Sequence, residues 1–99
     1  MDVHFAKSDL QRLYTDNFGA DKYTVETVTL FRRRVRHIEA AKDLDDLRCP
    51  SIVSYKQLSS GYPPKSSLAL NEGWDMIISE ELRDEPRRIV VMEILERKA

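Results

Sequence analysis

Ser67-Leu68-Ala69-Leu70-Asn71-Glu72-Gly73-Trp74-Asp75-Met76-Ile77-Ile78-Ser79 decides how the rest of this chain is read. Two apolar runs flank Asn71-Glu72-Gly73, and glycine there can take backbone conformations that other residues avoid. The pattern predicts a β-hairpin with strands over 67–70 and 74–79, and Trp74 directly after its turn. Downstream, a charged turn around Leu82–Pro86 leads to Arg88-Ile89-Val90-Val91-Met92-Glu93-Ile94-Leu95. That run is nearly all apolar, so it predicts a last strand in the interior of a sheet. Upstream, Ile52, Ser54 and Lys56 alternate with Val53, Tyr55 and Gln57, a period of two that predicts another strand. Ser59-Ser60-Gly61-Tyr62-Pro63-Pro64 between them is a loop by composition.

Before residue 50 the period is helical. Val25, Val28, Phe31, Val35 and Ile38 recur at steps of three and four, one buried stripe on a helix over about 22–42. Asp21 or Thr24 can cap its start. A shorter helix over 9–16 carries Leu10, Leu13 and Tyr14, with Ser8 as its N-cap and Asn17-Phe18-Gly19 as its stop. Residues 2–6 alternate as a first strand with Val3 and Phe5 on one face, and residues 43–47 form a single helical turn ended by Cys49-Pro50. The order is strand, helix, helix, four strands. It predicts one α+β domain over 1–99, with two N-terminal helices packed on one face of a mainly antiparallel four- or five-stranded sheet. The expected core is Val28, Phe31, Val35, Ile38, Leu47, Leu68, Leu70, Ile77, Ile89, Val91 and Ile94, with Trp74 at least partly buried.

Composition narrows the function classes. The chain has 99 residues, of which 41% are hydrophobic and 33% charged, a globular mixture. No stretch approaches the roughly 20 apolar residues of a membrane span, and the N-terminus lacks a secretory pattern, so a cytoplasmic location is expected. One cysteine and 2 histidines exclude a cysteine–histidine zinc framework, and no inward carboxylate cluster suggests another metal. No glycine-rich phosphate loop is present, which excludes nucleotide hydrolysis of the Walker type. His4, His37 and Cys49 lack nucleophile or base contexts and read as structural or surface residues. Net charge is −1, yet the charges are clustered: Arg32, Arg33, Arg34 and Arg36; Arg87, Arg88, Arg97 and Lys98; Asp43, Asp45 and Asp46; Glu80, Glu81, Asp84 and Glu85. Solvated faces and turns are the plain explanation for each cluster.

Asp46-Leu47 with Pro50, then Leu58, then Ser67-Leu68-Ala69-Leu70-Asn71 with Trp74, in this element order, resembles the HigB branch of the RelE/ParE toxin superfamily over almost the whole chain. The resemblance implies a RelE/ParE-like fold and the toxin component of a type II toxin–antitoxin system. It further implies a metal-independent endoribonuclease that cuts messenger RNA on the ribosome, with a small DNA-binding antitoxin as partner, no cofactor and no membrane. In that family, basic and aromatic groups on the open sheet face deprotonate a ribose 2′-hydroxyl and stabilise the phosphate. Transferred position by position, the family's histidine before the strand leucine falls at Lys56. The lysine after that leucine falls at Ser59, and the arginine after the hairpin tryptophan falls at Asp75, a charge reversal. The terminal Asp-Tyr-His region falls near Glu96, Arg97 and Lys98.

The resulting candidates are Lys56, Arg97 and Lys98 as cations of a rearranged catalytic site, with Glu96 as base. Lys65, Arg87 and Arg88 are candidates for RNA contact, and Arg32, Arg33 and Arg36 for the antitoxin. The catalytic arrangement expects the C-terminal end of the last strand to lie beside the loop carrying Lys65. A carboxylate at Asp75 repels a scissile phosphate by on the order of 1 kcal/mol. Two further readings therefore stay open: a toxin-fold protein without RNase activity, acting by protein binding as a ParE-like inhibitor or persisting as an inactive relic, and an unrelated α+β interaction domain.

Overall fold

The computed structural model describes residues 2–16, 20–42, 55–59, 61–71, 73–81, 83 and 87–96. In chain order the elements are β1 (Asp2–Phe5), α1 (Ser8–Asp16), a 3-10 turn (Ala20–Lys22), α2 (Val25–Ala40), β2 (Tyr55–Gln57), β3 (Lys65–Asn71), β4 (Trp74–Glu81) and β5 (Arg88–Glu96). They form an α+β domain with one five-stranded sheet in the order β1-β5-β4-β3-β2. Strands β2 to β5 make an antiparallel meander, and β1 joins β5 in parallel. The apolar run at 88–96 thus has a neighbour on each side. The expected turn at 43–47, Cys49, Pro50, Leu47 and the strand positions 52–54 lie outside the described residues.

Local chemistry sets the helix ends. The Thr24 hydroxyl accepts a 3.1 Å hydrogen bond from the Thr27 N–H, so Thr24 rather than Asp21 caps α2. The 3-10 turn occupies residues 20–22, and α2 therefore starts at Val25 instead of 22. Its last turn closes with the Ala41 N–H donating to the carbonyls of His37 and Ile38, both at 3.1 Å. Helix α1 begins one turn position earlier than expected. The Lys7 carbonyl accepts from the N–H groups of Leu10 and Gln11, which places Ser8 inside the helix and not at its cap.

Both helices bury their apolar stripes on the same sheet face. Leu10, Leu13, Val28, Phe31, Val35 and Ile38 pack with Leu68, Leu70, Met76, Ile78, Ile89 and Val91, and Val3, Phe5, Trp74 and Ile94 close the margin. Phe31 is fully buried and meets Phe5 and Tyr14, each with ring centroids 6.5 Å away, in geometries that suit the ring quadrupoles. Trp74 lies edge-on to Tyr23 at 5.1 Å, partly buried as its place after the turn suggested. Gly73 has φ +94°, a conformation that strains any residue with a Cβ and ends the β3–β4 turn cheaply only for glycine.

One expected core residue is assigned differently. Ile77 is buried but alternates with Met76 and Ile78, so it faces away from the helices. Facing it, β5 carries a bulge: Ile77 pairs with Glu93 while Ile78 pairs with Val91, leaving Met92 extra. That single residue keeps Ile94 on the same face as Ile89 and Val91, where strict alternation would have turned it outward.

Phe31→Ala should lower unfolding stability by about 3–5 kcal/mol, because the surrounding rings cannot close the cavity. Thr24→Ala should cost only about 1 kcal/mol through the lost cap. Urea unfolding followed by circular dichroism distinguishes the two.

Candidate functional site

Sheet register determines which sequence-predicted site residues meet. On the helix-free face, Lys56, Ser67, Ile77 and Glu93 form one row across β2, β3, β4 and β5. Lys65, Ser79, Val90 and His4 form a parallel row, and Ala69, Asp75 and Leu95 a third. Lys56 and Lys65 are exposed diagonal neighbours on β2 and β3, about 7–8 Å apart. Asp75 is half-buried on the same face.

Glu96 does not join them. It pairs with Trp74, so it shares the helix-side face of Trp74 and Ile94, whereas Lys56 pairs with Ser67 on the opposite face. Two strands also intervene between β2 and β5, a span of about 14 Å at 4.8 Å per strand. The expected approach of the β5 C-terminus to Lys65 is corrected as well. That end lies beside the β3–β4 turn, while Lys65 pairs with Ser79 far along the hairpin. Arg97 and Lys98 lie outside the described residues.

The three residues expected at RNA do share one end of the sheet, with Lys65 starting β3 and Arg87–Arg88 leading into β5. Their charge is already engaged in part. Arg88 holds Glu81 with both its Nε and a terminal nitrogen at 2.8 Å. Nearby, the Arg83 guanidinium lies 4.5 Å from the Tyr62 ring centroid, and the Arg83 backbone N–H donates to the Tyr62 hydroxyl at 3.2 Å. Tyr62 and Arg83 carried no motif in the sequence, since a loop tyrosine and a turn arginine meet only through the hairpin. Glu80 was also unforeseen. Carboxylates of that segment were expected in solvated turns, but Glu80 belongs to β4, is buried on the helix-side face and accepts a 2.6 Å hydrogen bond from the Ser66 hydroxyl.

The arginine-rich helix divides its charges by direction. Arg32 donates from Nε and a terminal nitrogen to the Leu13 carbonyl, at 3.4 and 3.0 Å. That carbonyl belongs to the last turn of α1, where no intrahelical donor is available and a cation is favoured. Arg32 therefore joins the two helices, which differs from the outward antitoxin contact expected of it. Arg34 reaches the Ala69 carbonyl on β3 at 3.4 Å, beside the register shift between Ala69 and Asn71. Burial, then repulsion from Arg33, lowers the Arg34 pKa. Arg33 and Arg36 are exposed.

Beside Arg36, the Tyr14 hydroxyl donates to Glu39 at 2.6 Å. The bond to Glu39, followed by burial and the Glu39 charge, raises the Tyr14 pKa, and Arg36 opposes the rise. Among the described residues no group of three His, Cys, Asp or Glu side chains could hold a metal ion, and no helix is long and apolar enough to cross a membrane. No protein-family model matches the chain, and no curated protein sequence matches it.

Arg32→Ala should destabilise the fold by about 1 kcal/mol by leaving the Leu13 carbonyl without its donor. Arg33→Ala should stay within about 0.5 kcal/mol of the parent, and thermal unfolding separates them. Folding raises the Tyr14 pKa, so its contribution is complete below the ordinary phenol pKa and is lost as pH climbs through the raised value. Tyr14→Phe should flatten that alkaline loss in a stability–pH profile.

Proposed function

We propose that this chain is the toxin-type member of a toxin–antitoxin pair, with a RelE/ParE-like fold, acting in the cytoplasm by binding protein rather than by cutting RNA. The resemblance in the hairpin and in the order of elements supports the toxin assignment. One observation carries the choice of binding over cleavage: Lys56 and Glu96 occupy opposite faces of the sheet. Metal-independent cleavage needs a base at the 2′-hydroxyl and a cation at the phosphate of the same nucleotide, both within hydrogen-bond reach. A base and a cation on opposite faces cannot serve one phosphodiester, and Asp75 adds negative charge to the face where Lys56 lies.

The mRNA-endonuclease reading retains one favourable observation, the exposed Lys56–Lys65 pair on the helix-free face. In that reading the two lysines hold the phosphate and another group supplies the base.

Inducible expression distinguishes the two. Protein binding predicts growth arrest without new primer-extension stops, arrest that survives Lys56→Ala, and co-purification with the product of an adjacent reading frame. Ribosome-dependent cleavage that Lys56→Ala abolishes and Asp75→Arg strengthens would establish the endonuclease instead. Absence of both arrest and a co-purifying neighbour would remove the toxin assignment.

A further inference from the structure

Strand β1 borders the sheet, and its free edge is regular. It pairs with β5 over Asp2–Phe5 without a register shift, and the Ala6 N–H donates to the Val91 carbonyl at 2.9 Å. Along a strand, every second residue turns its N–H and C=O toward the same neighbour. Ala6 faces β5, and by that period His4 and Asp2 do too. The N–H and C=O of Val3 and Phe5 therefore point out of the sheet, where they meet no hydrogen-bond partner among the described residues. Proline, lysine and a bulge, the features that usually blunt such an edge, are missing from Asp2–Phe5.

From this we infer that β1 is a self-association edge, pairing antiparallel with β1 of a second copy about a two-fold axis through His4. The inference goes beyond the proposed function and does not depend on it. Val3 of each copy then opposes Phe5 of the other and exchanges both backbone hydrogen bonds with it, which satisfies all the outward groups. Val3 and Phe5 both pack on the margin of the core and are half-buried, so these pairs lie on the helix side. A β-branched residue opposite an aromatic one is a favourable cross-strand pair. The two His4 side chains meet on the other face, in the closer, non-hydrogen-bonded type of pair.

Parity and charge select this register and this occupant. A slip by one residue would set Val3 or Phe5 against His4 and join an apolar face to a polar one. Centred on His4, Asp2 falls opposite Ala6 and next to Lys7 of the second copy at both ends, so opposite charges adjoin and no two carboxylates meet. The stretch Asp2-Val3-His4-Phe5-Ala6-Lys7 thus complements itself in face, size and charge, as an isologous contact requires. With the axis perpendicular to the sheet, the helices of both copies stay on one side. A single strand pair buries less than the roughly 1,200 Å² at the low end of stable interfaces, so the association is weak and concentration-dependent.

Sedimentation equilibrium of the whole chain tests this. The apparent mass should climb from that of the monomer toward twice that value between about 10 μM and about 1 mM. Over the same range the amides of Val3 and Phe5 should gain protection from hydrogen exchange, while those of β2 stay unchanged. Val3→Pro removes an outward N–H and spares the bonds to β5, and His4→Lys sets like charges across the axis. Each should weaken association about tenfold with unchanged circular dichroism. An equimolar mixture of His4→Lys and His4→Glu should restore it, because the mixed pair joins opposite charges. A monomer throughout the range, association that both substitutions leave intact, or a mixture no better than either variant alone would each overturn the inference. His4 is exposed, so its two variants decide the matter even where Val3→Pro fails to fold.

Discussion

Strand β5 has to serve two neighbours and two faces at once, since β1 and β4 flank it and the helices cover only one side of the sheet. Its apolar run supplies enough hydrophobic surface for both faces but fixes neither. The bulge at Met92 makes the assignment. With one residue left unpaired, Ile89, Val91 and Ile94 all turn toward Phe31 and its neighbours, while Val90, Glu93 and Leu95 line the helix-free face. Without that extra residue, the second half of β5 would present its side chains to the wrong side, because strand parity is two. The hydrophobic core and the polar composition of the helix-free face both follow from this one irregularity.

The same economy governs the arginines of α2. Four cations on one helix would repel if all faced solvent on one side. Two of them instead meet carbonyl oxygens that regular hydrogen bonding leaves short of donors: Leu13 at the end of α1 and Ala69 beside the β3 register shift. Arg32 and Arg34 thereby hold α2 to α1 and to β3. Arg33 and Arg36 are left for the outer surface, with the Tyr14–Glu39 pair at their flank. A basic cluster in sequence thus becomes two interior braces and one outward pair, a division that depends on helical phase.

The helix-free face combines charge of both signs with buried Ile77 and Val90. Lys56 and Lys65 stand near its β2 edge, while Asp75 and Glu93 lie toward β5. Opposite charges spread over four strands favour solvation and surface contact over concentrated acid–base chemistry, for which the groups must converge within hydrogen-bond distance. At the far end of the sheet, Arg88 with Glu81 and Arg83 with Tyr62 engage cations that a charge count alone would assign to an anionic ligand.

Much of the architecture was legible in the residues themselves. The stripe from Val28 to Ile38 specified α2, the apolar runs around Gly73 specified the hairpin, and the density of apolar residues at 88–95 specified an internal strand. Those signals are periodic and local, so they survive without knowledge of the neighbours. Face, partner and distance are not local. Whether Ile94 met the helices depended on the bulge at Met92, and whether Lys56 could reach Glu96 depended on registers accumulated over β3 and β4. Arg32 and Arg33 are adjacent and chemically identical in sequence; 100° of helical rotation sends one to the α1 carbonyl and the other to solvent. The sequence by itself determined the elements, their order and the buried stripes, because side-chain periodicity encodes them. Only the tertiary structure decided which charges share a face, because that follows from strand pairing and helix phase across segments far apart in the chain.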